Sequence, residues 1–361
     1  MRKNIFFTIS YLYFLFSLSC FGQQVNTDSL QKLVSSPVDS IKISALTELI
    51  NHYTFTNPTI ALRYAEQAAK IADKNNMPGK KAEIQIATGI IFYEKGEYYH
   101  ARTWNEKALK IAIEIKDSIL MARALGNIGN SFMAVKDYEN ALVNFKKALN
   151  IFETRKSFSG IAIANGTIGN LYFFSKKYDE ALKYYKKSNE YFEQIGFKEG
   201  IGINLMNIGA ILKIEKKYPQ ALDYLNKALK IFEEQELRLN AAQCLANIGN
   251  CYAGLDDFNK AESYLRTAIE QIILINADES LALTYNDLGN VFFKNKKFKD
   301  AISEFNKALT LAEKVGDFDI IEKTYKDFAA LFEQTKDFES ALKFQNKYIA
   351  LHDSLLNSEK D

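Results

Sequence analysis

The sequence predicts an all-α fold made of tandem helix–turn–helix units, and three observations carry that reading. A 40-residue period runs through the chain without insertion or deletion: alanine stands at 61, 101, 141, 181, 221, 261, 301 and 341. Glycine stands at 89, 129, 169, 209, 249 and 289 in the same register, each followed nine residues later by an aromatic: Tyr98, Tyr138, Tyr178, Tyr218, Phe258 and Phe298. Apolar residues on both sides of that aromatic fall at helical spacing. Ala124, Leu125, Ile128, Phe132 and Met133 make one face, and the polar pair Lys136-Asp137 breaks it. Tyr138, Ala141, Leu142, Phe145, Ala148, Leu149 and Phe152 make the next.

Composition agrees with a long helical array and narrows the function. In 361 residues, 47% hydrophobic and 25% charged, there is too much core-forming material for a disordered chain and too much charge for a polytopic membrane protein. Four prolines and 17 glycines leave little punctuation for several separately linked domains. Lys+Arg 46 against Asp+Glu 44 gives a net +2, so no bulk basic field draws nucleic acid or an anionic membrane. Three His and three Cys are scant material for metal sites or thiol and imidazole catalysis, which points away from an enzyme.

Residues 1–22 read as a signal peptide. Arg2 and Lys3 precede an apolar run from Ile5 to Leu18, and Cys20 and Gly22 make a small-x-small site for cleavage after Gly22. The alternative is a lipoprotein anchored through Cys20, for which Ser17-Leu18-Ser19 is a poor lead-in. The mature protein is therefore expected to be exported, either periplasmic or secreted. Residues 23–40 form a linker or a partial capping helix centred on 28–36. The array then occupies 41–360 as eight units: 41–80, 81–120, 121–160, 161–200, 201–240, 241–280, 281–320 and 321–360. In six of the eight units a glycine stands mid-helix, at a cost of about 1 kcal/mol relative to alanine, so its recurrence implies close helix packing. Pro219 suits the first turn of a second helix, and Gly196 and Gly316 suit C-terminal caps. Leu49, Pro58, Ala329 and Tyr348 make the first and last units irregular, as terminal capping units are.

The small residue near the middle of the first helix, the aromatic after the turn and the paired alanines resemble the tetratricopeptide repeat family in a 40-residue form. The resemblance covers about residues 41 to 360, although the usual first-helix tryptophan is absent and Trp104 lies in a second helix. It implies a right-handed α-solenoid, a superhelix of about eight such repeats with first helices lining the concave side. The arrangement also resembles the exported repeat region of Bacteroidetes-type sensor histidine kinases, without the kinase.

Candidate chemistry is sparse. Cys244 and Cys251 sit seven apart in one helix, about 10 Å between Cα atoms, too far for a disulfide. His52, His100 and His352 fall in different units with no ligand spacing, and Gly200-Ile201-Gly202 follows no strand. No catalytic residue, metal ligand or cofactor is expected. One polar column stands out. Asn130, Asn170, Asn250 and Asn290 each follow the column glycine, and three residues earlier stand Asn127, Asn207 and Asn247, with Thr167, Asp287 and Asp327 in other copies. Residues three apart share a helical face, and asparagine is a mediocre helix former, so the strip invites a functional reading. An amide donates and accepts, which suits an extended peptide backbone. The resemblance implies the same use of these positions. Tyr93, Phe173 and Phe293 are placed to add apolar contacts, and Lys213, Lys294 and Lys323 to reach the groove. The bland alternative is that the amides only bridge neighbouring helices. Lysines for clamping a terminal carboxylate are missing where Ile86, Gly126, Gly166, Met206 and Ala246 stand, which favours an internal segment as ligand. The expected function is an exported, non-enzymatic scaffold for a protein or extended peptide, with the sensory arm of a two-component system, partnered by an envelope or membrane signalling protein, as the alternative.

Overall fold

The computed structural model describes residues 27–358, so the leader read at 1–22 lies outside the described residues. Among them every regular element is a helix. They divide into two compact units, 27–195 and 196–358. The first unit holds α1 (Thr27–Val34), α2 (Asp39–Thr56), α3 (Pro58–Lys74), α4 (Pro78–Glu94), α5 (Tyr98–Glu114), α6 (Ser118–Ala134), α7 (Tyr138–Thr154), α8 (Phe158–Phe174) and α9 (Tyr178–Ile195). The second holds α10 (Lys198–Ile214), α11 (Tyr218–Glu234), α12 (Arg238–Gly254), α13 (Phe258–Leu274), α14 (Asp278–Lys294), α15 (Phe298–Val315), α16 (Phe318–Gln334) and α17 (Phe338–Ser358). None of these helices is long and apolar enough to cross a membrane.

Each unit is an all-α solenoid of stacked antiparallel pairs, in which the column aromatic opens the second helix of its pair. The repeating small residues are its joints. Ala61, Ala101, Ala141, Ala181, Ala221, Ala261 and Ala301 are wholly buried. The glycine column works differently from a simple backbone approach. A Cβ on Gly129 would stand 2.5 Å from the Phe145 ring, one on Gly169 2.7 Å from Tyr185, and one on Gly289 2.5 Å from Phe305. The missing side chain of the first helix is thus a socket for a side chain from the second, a ring in these three copies and Leu225 or Leu265 opposite Gly209 and Gly249. Burying each ring is worth about 2–3 kcal/mol, which more than offsets the helix propensity lost at glycine.

Turns are closed the same way throughout. Positive φ recurs at 20-residue intervals from Asn76 to Lys336, taken by lysine, asparagine, aspartate or glutamate at all but Gly96, Gly196 and Gly316. At the α6–α7 turn the Asp137 N–H reaches back to Phe132 O at 2.9 Å and the Lys136 N–H to Met133 O at 2.9 Å, the doubly bonded helix stop. The Asp137 carboxylate then caps α7, accepting from the Asn140 N–H at 3.1 Å. Gly316, with φ 72, is the C-cap of α15, as its place after a second helix suggested. Pro219 lies in the first turn of α11. Cys244 and Cys251 are buried free thiols.

First helices of consecutive pairs meet directly: α2 with α4 and α4 with α6 in the first unit, and α10 with α12, α12 with α14 and α14 with α16 in the second. This close row of first helices is the face on which the polar column falls.

Candidate functional site

The second unit turns that column into a ladder of three hydrogen-bonded steps. At one end Lys213 of α10 donates to Asn247 Oδ1 at 2.6 Å, and Asn247 Nδ2 donates to Gln243 O at 3.1 Å. On the next step Asn250 Nδ2 of α12 donates to Asp287 Oδ2 of α14 at 2.7 Å, while Lys323 of α16 donates to Asp287 Oδ1 at 2.9 Å. The last step converges on Asp327 of α16, whose Oδ2 accepts from Asn286 Nδ2 and from Asn290 Nδ2, both at 2.8 Å. Helical spacing of three and four residues puts these groups on one face of each helix, and a 40-residue period puts the faces side by side.

The ladder is half-buried, and its charges show it. Burial pushes the Asp287 carboxyl up, but the Lys323 charge and hydrogen bond, the Asn250 hydrogen bond and the Lys213 charge outweigh it and hold it below the ordinary value. Burial likewise works against the Lys323 ammonium, and the Asp287 charge and hydrogen bond more than restore it. Lys213 has no such close anion; burial dominates and lowers it. Burial also raises Asp327 despite the hydrogen bonds from Asn290 and Asn286. Each ammonium has three N–H groups and uses one in the ladder, and an amide oxygen accepts two bonds. Lys213, Lys323, Asn250 and Asn290 therefore keep hydrogen-bonding capacity at a half-exposed surface.

Elsewhere the candidate residues sit differently from a solvent-facing strip. In the first unit Asn127, Asn130 and Asn170 are 4%, 2% and 1% exposed, and in the second Asn207 is 2% exposed. Asn170 Oδ1 accepts from the Tyr185 hydroxyl at 2.8 Å, so this amide faces its own second helix, drawn inward by a buried donor. Asn127 and Asn130 line a small cavity between α4, α5 and α6. Phe173 is half-buried beside Phe174 and Tyr178, with ring centroids 5.5 and 5.9 Å away, and Phe293 packs 6.3 Å from Phe298. These rings hold the first helix to the second where it ends. Lys294 is exposed. The structure thus gathers Lys213, Asn247, Asn250 and Asn290 into one site and leaves Asn127, Asn130, Asn170 and Asn207 behind the surface. The anchoring role of Asp287 and Asp327, and the part of Asn286, are additions: the sequence marked the two acids only as variants of the asparagine column. Asn286 occupies a place held by Ala246 and Met206 in neighbouring copies, which was its one signal.

Comparison with known proteins agrees with this architecture. The tetratricopeptide repeat model matches residues 120–194, 201–271 and 280–354. No curated protein sequence matches significantly. Among solved structures, the apo form of the quorum sensor NprR from B. thuringiensis superposes with a TM-score of 0.65 at 18% identity, over 90% of this chain and 92% of its own. A Rap protein complexed with competence and sporulation factor gives 0.58 at 14% identity, over 88% and 99%. The Rap conjugation gene regulator of plasmid pLS20, in complex with the Phr* peptide, gives 0.62 at 13% identity, over 87% and 96%. At these identities the likeness is one of fold.

Proposed function

The chain belongs to the tetratricopeptide repeat family, and on that premise we propose that it is a non-enzymatic scaffold that binds an extended peptide segment of a protein partner along the first helices α10–α16. The observation that carries the reading is the half-exposed ladder from Lys213 to Asp327, whose amide oxygens and ammonium N–H groups offer alternating acceptors and donors to a backbone. The fixed carboxylates Asp287 and Asp327 orient those amides in advance, which lowers the ordering cost of binding. The complex of the pLS20 Rap regulator, a protein of the same fold, with the Phr* peptide supports a peptide as occupant. The leader-like residues 1–22 support a location outside the cytoplasm.

Panning a random-peptide display library on the protein tests the first part. Peptides selected by the wild type are expected to lose at least about tenfold in affinity, about 1.4 kcal/mol, on the double variant Asn250→Ala, Asn290→Ala. Circular dichroism checks that both proteins are equally helical. Unchanged affinity at equal helicity would move binding off this face and sink the assignment. For export, the mass of the protein purified from its native cells is expected to correspond to a chain starting at Gln23; a chain retaining residues 1–22 would refute it.

A further inference from the structure

One second-helix position breaks the repeat from within. The slot opposite the column glycine holds Phe145, Tyr185, Leu225, Leu265 and Phe305 in successive copies, all wholly buried. In the preceding copy the same slot holds Asn105, 1% exposed, facing Gly89, where a Cβ would meet the Asn105 amide. Asn105 is smaller than the Phe145 ring that fills this slot in the next copy, and a cavity lies there, lined by Gly89, Ile90, Tyr93, Asn105, Asn127 and Asn130 with Ser131. Its free space is about that of one water molecule.

The walls specify what enters. Asn105 Nδ2 donates to Ala101 O at 2.8 Å, which fixes the amide's orientation and turns Oδ1, an acceptor with no protein partner, to the other side. Asn127, 4% exposed, contributes Nδ2, a donor with no protein partner. Ser131 Oγ is tied to Asn127 O at 3.0 Å. An apolar occupant would leave both amide groups unmet. A cation would be repelled by the N–H and an anion by the carbonyl oxygen. A single oxygen that donates one hydrogen bond and accepts another satisfies both. We propose that this cavity is a binding site for one hydroxylic oxygen, donating to Asn105 Oδ1 and accepting from Asn127 Nδ2. Water and the hydroxyl of a ligand share that chemistry. The inference stands apart from the peptide assignment, because it uses neither the second unit nor the ladder.

A crystal structure of the full chain at a resolution that shows ordered waters tests it. The expected result is a discrete peak about 2.6–3.2 Å from both Asn105 Oδ1 and Asn127 Nδ2. An isolated peak identifies water, whereas density continuing into a co-purified molecule identifies a ligand hydroxyl. The variant Asn105→Leu, which installs the residue found in this slot at 225 and 265, is expected to keep its helicity and lose the peak. A cavity without a peak, or amides turned to bond each other or a backbone carbonyl, would overturn the proposal. So would a peak that persisted unchanged in Asn105→Leu.

Discussion

Asn170 and Asn250 occupy the same place in their repeats and do opposite things. Asn250 points its Nδ2 across to the next first helix, whereas Asn170 accepts from a tyrosine on its own second helix. The difference lies one column away: Tyr185 carries a hydroxyl where Leu265 carries none. Tyr185 is wholly buried and Asn170 is 1% exposed, so losing that hydroxyl strands an amide oxygen in the core. Tyr185→Phe is therefore expected to lower the unfolding free energy by about 1–3 kcal/mol in urea titration. No change would mean that the pair contributes nothing and that Asn170 is held by other contacts. Here the sequence was only half legible. The asparagine column and its shared face could be read from spacing, but the direction each amide takes depends on a partner 15 or 37 residues away, and one chain does not reveal which donor or acceptor wins.

At the scale of a single helix, the C-terminal cap at Gly316 was legible in the sequence, and the acid that caps the next helix was not. Asp317 stops no helix by accident: its Oδ1 accepts from the Ile320 N–H at 3.0 Å and starts α16. It is also 2% exposed. Burial, countered only in part by the Ile320 and Asp319 N–H groups and aided by the charges of Asp319 and Glu279, pushes the carboxyl up from 3.8 to about 6. A carboxyl raised in this way binds a proton more tightly when folded than when unfolded. Its penalty is absent below the unfolded value, grows from about pH 4 to 6 and is complete above that, on the order of 2–3 kcal/mol. Asp317→Asn keeps a capping oxygen and removes the charge. It is expected to stabilise the protein by that order at pH 7 and to have much less effect at pH 4.5, as thermal melts at the two pH values would show. Equal effects at both would exclude the carboxylate as the cause.

Over the molecule as a whole, periodicity gave the architecture almost completely, because joints made from alanine and glycine leave a sequence trace at fixed spacing. The division of the described residues at Gly196 left no such trace. Nor did the contrast between the two units, one with its asparagines withdrawn and the other with a half-exposed ladder. Solenoid stability is a sum of local interfaces, so it varies along the chain. In α17 no described side chain is fully buried, with Phe338 66% and Leu342 62% exposed, while α8 buries a nearly unbroken run from Gly160 to Leu171. Amide hydrogens of α17 are expected to exchange at least about 100-fold faster than those of α8, and equal protection would contradict this gradient.

The turns have a consequence for how the protein meets proteases. Lys116, Lys136, Lys156, Lys176, Lys216, Lys296 and Lys336 are all exposed at turns, which on paper makes them inviting trypsin sites. Yet each is locked in a left-handed conformation between two helices that begin or end within a residue or two of it. A protease must draw several consecutive residues into an extended strand, and here that requires unwinding a helix on either side. Cleavage at these lysines is thereby tied to the opening of whole helical pairs, so a chain studded with basic loops is protected by how short its loops are.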